Sequence, residues 1–313
     1  MTELSVIVPA YNRARIIRHC LKALCHQTLE KDRYEVVVVD DASTDETPVV
    51  VGAFASSGPC KIRYLRRGER GGPGAARNTG ILQAQGWLVV FVDSDVIVTP
   101  GFLEEHLRLH EENGIVGRGP VILVPTLDGQ FPRRARLIDL STNFLDTANA
   151  SVRKDHLLQA GLFDEGFSFY GWEDLDLGMR LHRLGLRKRT SRRAIAYHLQ
   201  PPLTAQRMPE LIAKEQERAR NAVRFYRKYP CFLSRVTIQR TLLHRAIAWA
   251  LSGGGTLTPD TALPVLEALE RRGWKTLHFL VMRGVLNRVY LEALEEAWRS
   301  RSAEIEAKSA PRR

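Results

Sequence analysis

Two stretches constrain this chain more than anything else in it: YEVVVVDDAS at 34–43 and WLVVFVDSD at 87–95. Each is apolar without alternation, as a strand covered on both faces must be, and each ends in two carboxylates. LSVIVP at 4–9 is a third such run, and Ile62 to Leu65 a weaker one. Helical spacing fills the gaps, with Ile16, Ile17, Cys20, Leu21 and Leu24 inside 14–29 and a further helix over 75–85. Ser43 with Glu46 fits a capping box, and Thr99-Pro100 fits the N-cap and first position of another helix. Strand–helix alternation of this kind predicts an α/β fold around a mainly parallel sheet.

After about residue 115 the pattern is mixed, with short strands and a long loop near 125–147. Helices resume at 174–184 and 205–229. Residues 231–313 read as wholly helical, broken at Ser252-Gly253-Gly254-Gly255 and fraying over the last ten or so. A length of 313 residues accommodates two such parts, a sheet domain over 1–200 and an all-helical region over 201–313. The charge divides with them. From position 200 onward there are 20 Lys/Arg against 11 Asp/Glu, which is +9 of the chain's total of +11. That asymmetry points either to an anionic partner or to a solvated Arg-rich face.

Composition excludes several classes. Hydrophobic residues at 44% and charged residues at 26% rule out disorder and fibrous architectures. No run reaches the length of a spanning helix, and MTELSVIVPAYN has no leader pattern, so a cytoplasmic location is expected. Cys20, Cys25, Cys60 and Cys231 lack CxxC spacing, which predicts reduced thiols and no zinc site.

In open parallel sheets ligands sit beyond the carboxyl ends of the strands, where Asp40-Asp41 and Asp93-Ser94-Asp95 fall. PAYNRA after the first strand is neither GxGxxG nor a P-loop. Two carboxylates two apart suit Mg²⁺ or Mn²⁺ bridged to a substrate phosphate, or they form an Asx turn. Gly71-Gly72-Pro73-Gly74 opens a helix, offering backbone N–H groups to an anion with Arg77 beside them; plain turn chemistry is the alternative. Trp172-Glu173-Asp174 begins another helix. Acidic residues there complement the helix dipole, yet a lone positioned carboxylate is also what a hydroxyl nucleophile needs as general base. His198 stands at a strand end as a metal ligand or a structural histidine.

Taken together, SVIVPAYNR, VVVVDDASTD, GGPGAARNTG, FVDSD and FYGWEDLDLGMRL resemble, in order, the motifs of family 2 inverting glycosyltransferases of the GT-A fold. The resemblance spans residues 4–185 and says little about the helical remainder. It implies transfer of one sugar from a nucleoside-diphosphate sugar, UDP by default, to an acceptor hydroxyl, and a role in cell-envelope polysaccharide synthesis. Carried over by position, Pro9, Tyr11, Asp40, Asp41, Arg77, Asp93 and Ser94 would bind the nucleotide sugar. Asp95 and His198 would hold Mn²⁺ or Mg²⁺, Asp174 would be the catalytic base, and Glu173, Trp172 and Asn149 would meet the acceptor. The family's usual DDGS reads DDAS here, so Ala42 must stand where a Cβ is tolerated. No QxxRW motif is present, which favours single additions over polymer extrusion.

The acceptor implied is a glycan or a lipid-linked molecule. For 201–313 two roles stay open, a cap packed on the catalytic domain or a basic amphipathic membrane-surface element, exemplified by IQRTLLHRAIAWAL at 238–251. No nucleic-acid motif is present. The competing classes are a sugar-phosphate nucleotidyltransferase, whose glycine-rich signature is missing after the first strand, and a non-catalytic sugar-nucleotide-binding protein.

Overall fold

In the computed structural model, residues 1–129, 131, 143–167 and 170–309 are described; the middle of the expected 125–147 loop and the last four residues lie outside them. Two compact units result, Met1–Phe169 with Glu173–Pro201, and Tyr170–Trp172 with Pro202–Arg313.

In the first unit the valine-rich runs pair edge to edge. β1 (Leu4–Ala10), β2 (Tyr34–Asp40), β3 (Ile62–Arg66) and β4 (Leu88–Phe91) run parallel, with Val6 beside both Val36 and Val90. The later strands are β5 (Val96–Val98), β6 (Ile115–Arg118), β7 (Val121–Val124), β8 (Ala150–Arg153), β9 (Arg187–Thr190) and β10 (Ala196–Leu199). β8 joins β4 antiparallel, completing a seven-stranded sheet in the order β3-β2-β1-β4-β8-β6-β9. A smaller sheet has the order β5-β10-β7.

Helices cover both faces: α1 (Ile17–Cys25), α2 (Thr47–Ser57), α3 (Gly72–Gln83), α4 (Phe102–Leu109), α5 (Lys154–Gln159) and α6 (Glu173–Arg183). Alternate strand residues therefore enter different cores. Val6, Val8, Val36, Val38 and Val90 pack with Leu21, Leu24 and Phe102, whereas Ile7, Val37, Val39, Val89 and Phe91 pack with Ala76, Ile81 and Leu177. Burial on both sides is why these strands read as unbroken apolar runs. At Gly80 a Cβ would come within 2.6 Å of the Ile7 side chain, so α3 lies directly on β1.

Three expectations are corrected. Ser43 does not cap α2, because its hydroxyl accepts from the Asn12 N–H and the helix starts at Thr47. Thr99 does not cap α4, which begins at Phe102 while the Thr99 hydroxyl bonds the Arg193 carbonyl. Cys25 and Cys60 are not free thiols. The end of α1 and the approach to β3 bring their Cα atoms to 5.2 Å, within disulfide range, and the sulfurs are bonded. Cys20 and Cys231 remain free. Nothing in the cysteine spacing reveals a pair 35 residues apart that only tertiary packing joins.

The second unit holds α7 (Met208–Lys228), α8 (Phe232–Thr237), α9 (Leu242–Leu251), α10 (Pro259–Arg271) and α11 (Lys275–Ser309). Its core includes Met208, Ala262, Leu266, Met282, Val285 and Leu286. Among the described residues no helix is long and apolar enough to cross a membrane.

Candidate active site

The loops after β1, β2 and β4 meet at one edge of the large sheet. β10 returns antiparallel along β5 with His198 opposite Val96, which sets the imidazole beside the residue preceding that strand. His198 Nε2 is 3.2 Å from Asp95 Oδ1. Ligand atoms of Asp93, Asp95 and His198 all lie within 4.8 Å of one another. Burial works against a charge on His198, but the hydrogen bond and charge of Asp95 outweigh it and raise its pKa. Asp95 is likewise disfavoured as an anion by burial, and His198 and Arg13 nevertheless bring its pKa below the usual range. Two carboxylates and an imidazole form a donor set that fits Mn²⁺ or Mg²⁺. Ser94, between the two acids, is buried.

A buried arginine ties this cluster to the next. Arg77, on α3, donates one terminal nitrogen to Asp93 Oδ1 at 2.8 Å and the other to Glu173 Oε1 at 3.1 Å. Burial opposes its charge, yet Asp93 and Glu173 keep its pKa raised. The second Glu173 oxygen is buried and without a hydrogen-bond partner. Asn78, one residue on, makes a reciprocal pair with Phe163, its Nδ2 donating to the Phe163 carbonyl and its Oδ1 accepting the Phe163 N–H. That pair holds the segment before α6 against α3.

Asp174 lies in the first turn of α6. Its pKa is pushed up to about 7, by burial first and then by the charges of Glu173 and Asp146; the Leu175 N–H and Arg77 pull the other way. A carboxylate poised near neutrality is suited to take a proton from a hydroxyl. Gly171 and Trp172 precede it at φ +85° and +80°. Trp172 holds this strained conformation while its indole donates to the Arg218 carbonyl at 2.8 Å and its ring packs on Phe225.

The acids after β2 are placed differently. Asp40 is fully buried, with Oδ1 accepting the Ser43 N–H and Oδ2 the Tyr64 hydroxyl. Asp41 accepts the N–H groups of Gly71 and Gly72, at 3.0 and 2.7 Å, and pairs with Arg67 at 3.2 Å. Gly72, at φ +87°, takes a conformation that favours glycine. Pro9 is half-buried near the end of β1, and Tyr11, after it, has the Arg70 guanidinium over its ring at 4.1 Å.

Asn149, expected at the acceptor, is turned into the protein. It is fully buried, donates to the carbonyls of Pro120 and Ala194, and accepts from His106 Nε2. An amide oxygen only accepts, so His106 carries its proton on Nε2 and receives the Ser151 hydroxyl at Nδ1. Ser151 in turn accepts from His110 Nε2. Burial pushes His106 down to about 4 and His110 to about 3, so both are neutral near pH 7. This side chain braces the strands behind the site, with both of its amide N–H groups and one oxygen lone pair committed there.

Comparison with known proteins bears on the family and the fold. The family model for glycosyl transferase family 2 matches residues 5–163, half of the chain. The chain belongs to that family. It is 27% identical over 268 residues to the Bacillus subtilis protein called uncharacterized glycosyltransferase YfnE, with 67% of this chain and 68% of that one covered. Over 129 residues it is 39% identical to the Staphylococcus aureus poly(ribitol-phosphate) beta-N-acetylglucosaminyltransferase TarS, covering 38% of this chain but only 22% of TarS. A Pyrobaculum calidifontis mannosyltransferase solved with GDP-Man and Mn²⁺ superposes with a TM-score of 0.60 at 20% identity, over 92% of this chain and 87% of that one. TarS 1–349 with UDP-GlcNAc does so with a TM-score of 0.54 at 20% identity, over 96% and 92%. The fold is thus GT-A, and the family makes the chain a glycosyltransferase.

Family motifs do not reveal every residue at this candidate centre. Asp146 sits near enough to raise the pKa values of both Asp174 and His198. It is held at 3.2 Å by Arg118, whose guanidinium is almost wholly buried and also donates to the Asn143 carbonyl. An aspartate in an irregular loop carries no spacing signal.

Proposed function

We propose that this protein is a metal-dependent inverting transferase that moves a single sugar from a nucleoside-diphosphate sugar to the hydroxyl of a glycan or lipid-linked acceptor. UDP is the favoured carrier. Tyr11 and Pro9 flank the nucleotide, with Asp41 shaping the Gly71–Gly72 loop beside it. Asp93, Asp95 and His198 hold Mn²⁺ or Mg²⁺, which when bound supplies positive charge for the departing diphosphate. Asp174 takes the acceptor proton as the hydroxyl oxygen attacks from the face opposite the diphosphate, and Glu173 positions that hydroxyl through its unpartnered oxygen. One base suffices for direct displacement, so no covalent intermediate is needed. In this reading the helical region contributes a peripheral membrane contact.

The observation that carries the proposal is the Arg77 bridge. One guanidinium fixes Asp93 and Glu173 together, so the cation cluster and the base are a single rigid unit. The test is thermal unfolding with UDP, GDP or dTDP, each with and without Mn²⁺, beside Asp95→Ala. Ligand at 100 times its dissociation constant stabilises by about 2.7 kcal/mol. A metal-dependent rise for one nucleotide, lost in the variant, is expected; no rise with any nucleotide overturns the donor site.

A further inference from the structure

In the second unit one helix is inside out. α9 packs on α11, and its least exposed positions, His244, Ala248 and the capping Ser252, are spaced four apart, with Ala248 the one buried residue within the helix. The close crossing falls at Gly284, where a Cβ would lie 2.4 Å from the Leu251 carbonyl oxygen. Arg240 and Arg245 pin the helix to Glu295 at 3.4 and 2.5 Å. Its large apolar side chains face outward: Leu242 is 82%, Leu243 66% and Trp249 64% exposed, and Phe232 on neighbouring α8 is 78% exposed. A ten-residue helix is marginal in water, and tertiary burial of its apolar face is what usually sustains one. Here that face is left uncovered.

The charges around it say what covers it. From Arg218 to Pro259 the sequence has eight Lys/Arg and no Asp or Glu; from Arg271 to Leu291 it has five and none. Arg240 and Arg245 are paired with Glu295, but the 218–259 tract itself holds no acid, so a second copy of the chain would meet this face basic against basic. An anionic bilayer has the complementary chemistry. Leucine and tryptophan enter the headgroup–acyl boundary while arginines reach the lipid phosphates.

We propose that the α8–α9 face docks on the surface of an anionic lipid bilayer, with Phe232, Leu242, Leu243 and Trp249 inserted and Arg235 at the phosphates. This deepens the membrane contact in the functional reading, but it rests on the second unit alone. The test is co-sedimentation of the full chain with vesicles of phosphatidylcholine alone or of an equimolar mixture with phosphatidylglycerol, with light scattering for the mass in solution. Binding to the mixed vesicles, absent on phosphatidylcholine and weakened by salt, is expected. Combined Leu242→Ser, Leu243→Ser and Trp249→Ser should lower the partition by at least about tenfold. Arg235→Ala should lower it about fivefold. These side chains are exposed, so helicity and nucleotide-induced stabilisation should persist, which separates failure here from failure of the transferase reading. A chain that stays in solution with mixed vesicles at low salt overturns the proposal. If it is then a dimer that the triple variant dissociates, the face is a contact between copies.

Discussion

The carboxylates that close β2 and those that follow β4 stand at the same edge of one sheet, each pair after a strand of buried valines, yet the chain surrounds them differently. Asp40 and Asp41 receive backbone N–H groups from Ser43, Gly71 and Gly72, a tyrosine hydroxyl and an arginine. They tie the turn after β2 to β3 and to the β3–α3 connection. Asp93 and Asp95 converge with His198 at a partly open position and are steadied by single cations, Arg77 and Arg13. A pair of strand-end acids therefore builds the pocket in one place and, on the functional reading given above, works the reaction in the other. What separates them is how many donors the neighbouring segments supply, chiefly β3 and the β3–α3 connection.

That difference predicts two kinds of mutant. At the reactive end Asp174→Asn should reduce kcat by about 10²–10⁴-fold, equivalent to roughly 3–5 kcal/mol, while the unfolding midpoint stays level or rises. Removing a carboxylate whose ionisation is disfavoured relieves the fold and disables the base. Nucleoside diphosphate release from the donor is the measurement. A variant that loses stability and keeps its rate would place Asp174 with the structural acids.

At the structural end Asp41→Ala should reverse the pattern. It strands two backbone donors and a paired arginine, each buried unsatisfied donor costing about 1–3 kcal/mol, so a loss of about 3 kcal/mol and several degrees of midpoint is expected. Asp95→Ala, in contrast, strands no backbone donor and loses only its pairs with His198 and Arg13, so it should lower the midpoint of the ligand-free protein by less and abolish the metal-dependent nucleotide shift. Calorimetry of the two variants side by side decides whether the contrast between the pairs is real.

Titration sharpens it further. The folded pKa of Asp174 is raised to about 7, so the ionised base is lost as pH falls through 7. Below that point kcat/KM should drop about tenfold per unit, about 1.4 kcal/mol, with a plateau above. The linked stability has the opposite direction. A raised carboxyl pKa means the fold keeps a proton that the unfolded chain has released, so raising pH from about 4 towards 7 costs stability in the parent and not in Asp174→Asn, with no further loss above 7. His106 and His110 add an acid limit, because their depressed pKa values contribute stability that is present above about 6.5 and lost as pH falls towards 4. Midpoints measured at each pH separate the two effects; a flat rate profile between pH 6 and 8 would remove Asp174 as the base.

The sheet was legible because burial on both faces writes itself as Val36-Val37-Val38-Val39 and Leu88-Val89-Val90-Phe91. The candidate metal cluster was legible in part, since Asp93 and Asp95 share a tripeptide while His198 reaches them only through the antiparallel return of β10. Long-range arginine struts left no trace. Arg77 reads equally well as an anion ligand until its guanidinium is seen spanning Asp93 and Glu173, and Arg118 with Asp146 has no motif at all. Asn149 sat in a segment that looked ligand-facing, but side-chain direction within β8 and its turn is settled by which partners the core offers, here His106 and two carbonyls. The cysteine pair failed for the same reason, proximity made by α1 packing rather than by spacing.

The smallest effect tests the loop that makes the first acid pair structural. Ala42 directly follows Asp41 and holds φ +61°, in the left-handed region that a Cβ makes costly by about 1–2 kcal/mol. Glycine, common at this position in the family, has no such cost in the fold but more freedom in the unfolded chain, which returns about 0.4–1 kcal/mol. The balance favours Ala42→Gly by up to about 1 kcal/mol, a rise of a few degrees in midpoint at this chain length. Strain released so close to Asp41 should leave its bonds to Gly71 and Gly72 in place, with nucleotide affinity unchanged. If the midpoint rises while affinity falls, the strained alanine is holding Asp41 in its binding geometry, and the structural pair would then contribute to ligand binding through its backbone.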